Sequence, residues 1–210
     1  MANIRRIDLT SAERHFYLLD ACFLANKYIP VDRVTDPREK IRVERSKAWW
    51  QHIDAQVRRR KAIVYVPDVC IAEAFKVLAK KYYRDKYFRR PVDHKIAREK
   101  LAADLHATPR VLKSSDRHIR FHDISTSRDI IIAVDRFFEV CFKRNLEVSV
   151  PDLIILATAK YLVDFYNIPN DRLHIVTLDH ALWRASKLVL DIPSAFNPNM
   201  KYEQAHYVFQ

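Results

Sequence analysis

Four acids in this chain stand where short apolar runs give way to helical ones: Asp20, Glu73, Asp152 and Asp179. Asp20 follows Phe16-Tyr17-Leu18-Leu19, and Asp179 follows Ile175-Val176-Thr177-Leu178. Asp152 opens a helical pattern directly after Pro151, and Glu73 lies within the pattern that begins at Pro67-Asp68. Each acid alone has an ordinary explanation, because an Asp near a helix start caps it and complements its dipole. As a set they suggest chemistry. Two unit charges ~4 Å apart repel by about 4 kcal/mol at an effective dielectric near 20, so four carboxylates converging on one cleft call for a divalent cation. An all-oxygen site of this kind suits Mg²⁺ or Mn²⁺, which keep several waters and bind phosphate oxygens. Such an ion activates water and stabilises a departing oxygen, so phosphodiester hydrolysis would need no His, Ser or Cys nucleophile.

The charge balance agrees with that chemistry. Lys and Arg number 37 against 26 Asp and Glu, a formal net charge of +11, which favours a polyanionic partner. Metal-binding acids within a basic chain are the division of labour expected of a nuclease, with the basic surface holding the phosphate backbone. The chain of 210 residues contains no glycine. That excludes the glycine-rich dinucleotide fingerprint, the phosphate-binding P-loop and the nucleophile elbow, all of which need glycine for close approach or positive φ. Any site must therefore be built from side chains. Cys22, Cys70 and Cys141 are scattered in apolar segments, as reduced thiols of a cytoplasmic protein would be. No apolar run approaches the ~18 residues of a membrane span, and the N-terminus does not read as a secretory signal.

Between Lys80 and Arg90 the cations Lys80, Lys81, Arg84, Lys86, Arg89 and Arg90 interleave with Tyr82, Tyr83, Tyr87 and Phe88. Two readings stand: aromatic rings stacking on unpaired bases while cations track phosphates, or tyrosines packing a helix end beneath a solvated face. Arg58-Arg59-Arg60-Lys61 reads as a helix end whose charge favours the dipole. Trp49-Trp50 reads as core or dimer surface, and His118 and His122 as ordinary polar residues without zinc spacing.

The elements that must position the acids alternate. Strands are expected at 16–19, 63–66, 119–124 (weak), 173–178 and a closing one at 188–192. Helices are expected over 21–29, 37–61, from Pro67-Asp68 with Asp68 as N-cap, over 92–106, from the Ser125-Thr126-Ser127 cap to Asn145, from Pro151-Asp152 after an extended Val148-Ser149-Val150, and from Asp179 to Lys187. Nearly all-apolar strands alternating with helices predict an α/β fold, a three-layer α/β/α sandwich with a short, mainly parallel central sheet. The chain 1–210 reads as a single domain, with the polar, basic stretch 84–120 as an insertion within it. Without glycine, Asn145 and Asn167 are the candidates for left-handed helix C-termini.

The segments Tyr17-Leu18-Leu19-Asp20-Ala21-Cys22-Phe23-Leu24, Val66-Pro67-Asp68-Val69-Cys70-Ile71-Ala72-Glu73, Val150-Pro151-Asp152-Leu153-Ile154-Ile155-Leu156-Ala157 and Ile175-Val176-Thr177-Leu178-Asp179 together resemble the PIN domain, in order and in context. The resemblance covers roughly 15–30, 62–82 and 121–192. It implies a Mg²⁺- or Mn²⁺-dependent endoribonuclease of the VapC type, with RNA as substrate, an antitoxin protein as partner and a homodimeric state. It also implies Asp20 and Asp152 as direct metal ligands, Glu73 and Asp179 acting partly through water, Thr177 as the hydroxyl beside the fourth acid, and products carrying a 5′-phosphate and a 3′-hydroxyl. The sequence departs from the family after the first acid, where a small hydroxyl or amide residue is usual and Ala21 and Cys22 stand instead. The alternative from another class is a PIN-like scaffold that binds RNA or protein with little or no catalysis. An acid-cluster phosphatase fits less well, since the first strand lacks a D-x-D pattern.

Overall fold

A computed structural model describes residues 14–105 and 121–199. His118 and the remainder of 106–120 lie outside the described residues. Four parallel strands form one sheet in the order β3-β2-β1-β4, with β1 His15–Leu19, β2 Ala62–Pro67, β3 His122–Ile124 and β4 Leu173–Val176. Around it run α1 Ala21–Asn26, α2 Pro37–Arg58, α3 Asp68–Tyr83, α4 Pro91–Leu105, α5 Arg128–Phe142, α6 Val150–Tyr166 and α7 His180–Ser186.

The chain builds outward from β1 through β2 to β3, then crosses back to place β4 on the far side of β1. Right-handed crossovers put the helices of the two legs on opposite faces, which makes the three-layer α/β/α sandwich. The reversal of direction lies between β1 and β4, so the crevice at their carboxyl ends is the topological switch point where open α/β sheets bind ligands. Asp20 ends β1 and Thr177-Leu178-Asp179 follows β4.

The strands are apolar because both faces are covered. Tyr17, Leu18, Leu19, Val64, Val66, Leu173 and Ile175 are all buried, packed with Phe23, Leu78, Leu153, Leu156 and Leu162 from the helices. Trp49 and Trp50 belong to this core. The Trp50 indole N–H donates to the Phe23 carbonyl at 3.1 Å and that of Trp49 to the Pro198 carbonyl at 3.2 Å. No helix among the described residues is long and apolar enough to cross a membrane.

Three local expectations are corrected. Residues 188–192 form no strand, and Leu190 is 92% exposed. The edge of β4 is closed instead by Phe196, which bridges Val176 in parallel and buries its ring edge-on against Trp49 at 4.5 Å. A single bridging residue gives no alternating or apolar run, so periodicity does not register it. The N-cap of α3 is Pro67, without a side-chain cap bond, and Asp68 is its first helical residue. Ser149, read as extended chain, is the N-cap of α6, and Val150 already belongs to the helix. The segment 84–105 contributes Tyr87, Phe88, His94, Ala97 and Leu101 to the buried interior.

Left-handed backbone falls on Arg60, Lys86, Asn145 and Asn167, with φ between 49° and 59°. The two asparagines are the expected substitutes for glycine. Asn167 sits at the α6 C-terminus at φ 54, ψ 37, its N–H closing onto the Leu162 carbonyl. Asn167→Ala is expected to lower stability by about 1 kcal/mol, read from urea unfolding, since a Cβ without a local polar group disfavours this region.

Candidate active site

Asp20 is the most constrained of the four acids. The extended backbone at the end of β1 turns into α1, and its carboxylate caps that helix by accepting from the Cys22 N–H at 2.7 Å. Its second oxygen, Oδ2, accepts from the Thr177 hydroxyl at 2.8 Å and from the Leu178 N–H at 3.0 Å. The Thr177 oxygen in turn accepts the Asp179 N–H at 2.8 Å, so one hydroxyl ties the first acid to the fourth. Asp20 is 5% exposed and Thr177 fully buried. Burial raises the Asp20 pKa, with the three hydrogen bonds opposing and the charge of Asp179 adding to the rise.

Asp179 uses Oδ1 to cap α7, accepting from the Ala181 and Leu182 N–H groups at 2.6 and 2.9 Å. Asp152 stands in the first turn of α6, where the Ser149 hydroxyl donates to its Oδ2 at 2.5 Å. Burial pushes its carboxyl up to about 6; the Ser149 bond opposes this, and Asp179, Asp20 and Glu73 all add to it. Glu73, on α3, is raised by burial and by Asp20 against the nearby cation of Lys76. The Cys70 thiol, buried beneath them, is raised by burial and then by Asp20, Glu73 and Asp152. The four acids thus share one electrostatic neighbourhood, supplied by β1, α3, α6 and the end of β4.

Asp68 is exposed on the first turn of α3 and is absent from every one of these interactions, which leaves Glu73 as the acid of that helix facing the group. Among the described residues, however, no three donor side chains are drawn together as a ready-made ligand set. The donor chemistry fits a hard divalent ion, since the four candidate ligands offer carboxylate oxygens.

Three partners of the site do not stand out in the sequence. The Cys22 backbone N–H does the orienting that the unusual Ala21-Cys22 pair cannot do with side chains. Backbone amides carry no residue-type signature, so this was invisible. Ser149 was legible in principle, since a Ser three residues before an acid is a capping pattern. Arg42 on α2 donates to the Leu178 carbonyl at 3.0 Å and brings a cation near Cys22, with nothing in its local sequence to mark it.

The basic stretch divides. Lys81 is fixed by Glu39 at 2.7 Å and Asp85 at 3.1 Å beneath the Tyr87 ring, and Tyr82 stacks on His94 at 4.6 Å. With Tyr87 and Phe88 buried, these four residues follow the packing reading rather than the base-stacking one. Lys80, Arg84, Lys86, Arg89 and Arg90 remain exposed, as does Tyr83, and Arg90 pairs with Asp93 at 2.9 Å.

Thr177→Val is expected to weaken Mn²⁺ binding by about tenfold, read by calorimetry, because it removes the bond that aims Asp20 Oδ2 and the acceptor of the Asp179 N–H.

No family model matches this sequence, and no curated protein does either. Solved structures do resemble it. FitAcB from Neisseria gonorrhoeae aligns at 17% identity and a TM-score of 0.50, over 87% of this chain and 97% of that one. VapBC2 from Rickettsia felis, bound to a DNA fragment from its promoter, aligns at 10% identity and 0.51, over 87% and 98%. FitAB bound to an IR36 DNA fragment aligns at 15% identity and 0.52, over 89% and 98%. At these identities the likeness is one of fold. It is the PIN-like α/β fold that the four sequence segments implied.

Proposed function

We propose that this chain is a Mg²⁺- or Mn²⁺-dependent endoribonuclease of the VapC type. The observation that supports the proposal is that Thr177 ties Asp20 to Asp179 beside the carboxyl ends of β1 and β4, while the charges of Asp20, Asp179 and Glu73 act on Asp152. Asp20 and Asp152 would hold the ion directly, with Glu73 and Asp179 completing the shell. When bound, the ion activates the attacking water and neutralises the departing oxygen.

The chain's own residues prepare this. Thr177, Cys22 N–H and Leu178 N–H fix the Asp20 carboxylate in one rotamer, so no reorganisation is needed when the ion arrives. Ser149 holds Asp152 and would have to share or yield its bond on metal binding. The net charge of +11 supplies long-range attraction for an RNA backbone.

Incubation of the purified protein with a labelled single-stranded RNA tests the reading. Cleavage is expected with Mg²⁺ or Mn²⁺ and none in EDTA. Cleavage that persists in EDTA would overturn the metal mechanism. The fold shared with the VapBC2 and FitAB structures supports an antitoxin protein as partner, while a homodimeric state and a cytoplasmic location, where the free cysteines would stay reduced, are what the VapC-type resemblance implies.

A second reading has one observation in its favour. The acids are not pre-gathered as ligands among the described residues, which suits a PIN-like scaffold that binds RNA or protein without cutting. Mn²⁺ titration separates the two, because a scaffold without a metal site shows no Mn²⁺-dependent rise in melting temperature.

A further inference from the structure

At the opposite end of α1 from Asp20, the segment after the helix faces α2 and α4 across a cavity of about 770 Å³. It shares no lining residue with the four acids, and its volume falls within the range of about 300–1,000 Å³ typical of small-molecule sites. Its lining is strongly cationic. Arg33 and Arg90 are neutralised by Asp32 at 3.0 Å and Asp93 at 2.9 Å, and Lys27 by Asp54 at 3.0 Å and Asp104 at 3.5 Å. Lys47, Lys100 and Arg89 have no ion-pair partner among the described residues. The Lys47 ammonium spends one N–H on the Lys27 carbonyl at 3.0 Å and otherwise faces like charge. Burial, then the charges of Lys100 and Lys27, lower its pKa. One wall is aromatic and apolar, made by Tyr28, Phe88 and Ile96.

We infer that this cavity binds a nucleotide, its phosphate held by Lys47, Lys100 and Arg89 and its base lying over the half-buried ring of Tyr28. Three uncompensated cations match the double charge of a phosphate better than the single charge of a carboxylate, and Lys and Arg serve phosphate as point charge and fork respectively. A flat ring beside the cations adds stacking that a bare anion could not use. The phosphate belongs either to a free mononucleotide or to an RNA strand. The inference does not rest on the metal reading, because neither the cavity nor its cations include any of the four acids.

The test is fluorescence polarisation with a 5′-fluorescein-labelled, unstructured ten-nucleotide RNA, in EDTA so that cleavage plays no part. Adenosine 5′-monophosphate, inorganic phosphate, adenosine and a glutamate decapeptide serve as competitors. Arg89→Gln with Lys100→Gln, both exposed positions, is compared with the charge-matched pair Arg59→Gln and Arg144→Gln, and urea unfolding verifies that each variant folds. The cavity pair is expected to lose about tenfold in affinity and the control pair less than about twofold, with the salt slope falling by about 1.4 in the cavity pair for two lost phosphate contacts. Competition by the monophosphate, lost in the cavity variant, assigns the site to a free nucleotide. Binding of the RNA alone, equally sensitive to that variant, assigns it to a strand. Equal weakening in both pairs, competition by adenosine or by the glutamate peptide as strong as by the monophosphate, or no binding of any probe overturns the inference.

Discussion

Asp20→Asn is expected to abolish Mn²⁺-dependent RNA cleavage, by on the order of 10²–10³-fold or more, while the protein stays folded. The loss follows from geometry. Asp20 is the acid whose two oxygens are aimed by three donors, from Cys22, Thr177 and Leu178. An amide keeps the shape but cannot present two anionic oxygens, and its NH₂ group would face the Leu178 N–H. The unmade bond costs about 1–3 kcal/mol, offset by removal of a fully buried carboxylate whose pKa is already raised. Two measurements make the outcome specific. The melting temperature of the wild type should rise with Mn²⁺, by an amount corresponding to about 2.7 kcal/mol at a hundredfold excess over Kd, and that of the variant should not. A variant that still melts higher in Mn²⁺ and still cuts would remove Asp20 from the site.

Asp152→Asn should separate activity from stability in opposite directions. Its folded pKa of about 6 lies above the ordinary 3.8, so the folded protein binds the extra proton more readily than the unfolded chain. Stability from this group is therefore full below pH 3.8 and is lost progressively as pH rises through about 6. At neutral pH the ionised carboxyl destabilises the metal-free protein by about 3 kcal/mol at 1.36 kcal/mol per tenfold in acidity, which solvent screening of this partly exposed group reduces to roughly 2 kcal/mol. The variant should thus be more stable than the wild type at pH 7, by about 2–6 °C in melting temperature, and the gap should close towards pH 4. Mn²⁺ should reverse the order at pH 7, because only the wild type has the ligand. A gap that is constant from pH 4 to 7, or of the other sign, would mean that the Asp152 carboxyl is not raised by burial and the neighbouring acids. Such a cost of burying a charge is common where function, not stability, sets the residue.

Much of this architecture was legible because it is local. β1, β2 and β4 are apolar runs covered on both faces, so their positions follow from composition over four to six residues. The acids could be placed at strand ends for the same reason, and Asn145 and Asn167 were the side chains best able to take glycine's left-handed role. Arg60 and Lys86 take the same conformation without any local signal, as tertiary packing overrides propensity there. The stretch from Lys80 to Arg90 shows the limit most clearly. Alternating cations and rings look alike whether they stack on bases or on their own helices, and only Glu39, 42 residues from Lys81, decides that Lys81 is structural.

By itself the sequence determined the class of fold and the order of its elements and pointed to four acids as candidates for a cation site, because these depend on residue type and short-range periodicity. Only the tertiary structure decided that Pro67 and not Asp68 is the N-cap of α3, and that Phe196 and not 188–192 closes the sheet. It also decided that a backbone N–H stands in for the missing polar side chain after Asp20, and that cations from α2, α4 and the Phe88–Arg89 turn line one cavity. The physical reason is the same in each case. Hydrogen bonds and Coulomb forces act across a few ångströms of space between residues far apart in the chain, and no pattern along the chain records which ones meet.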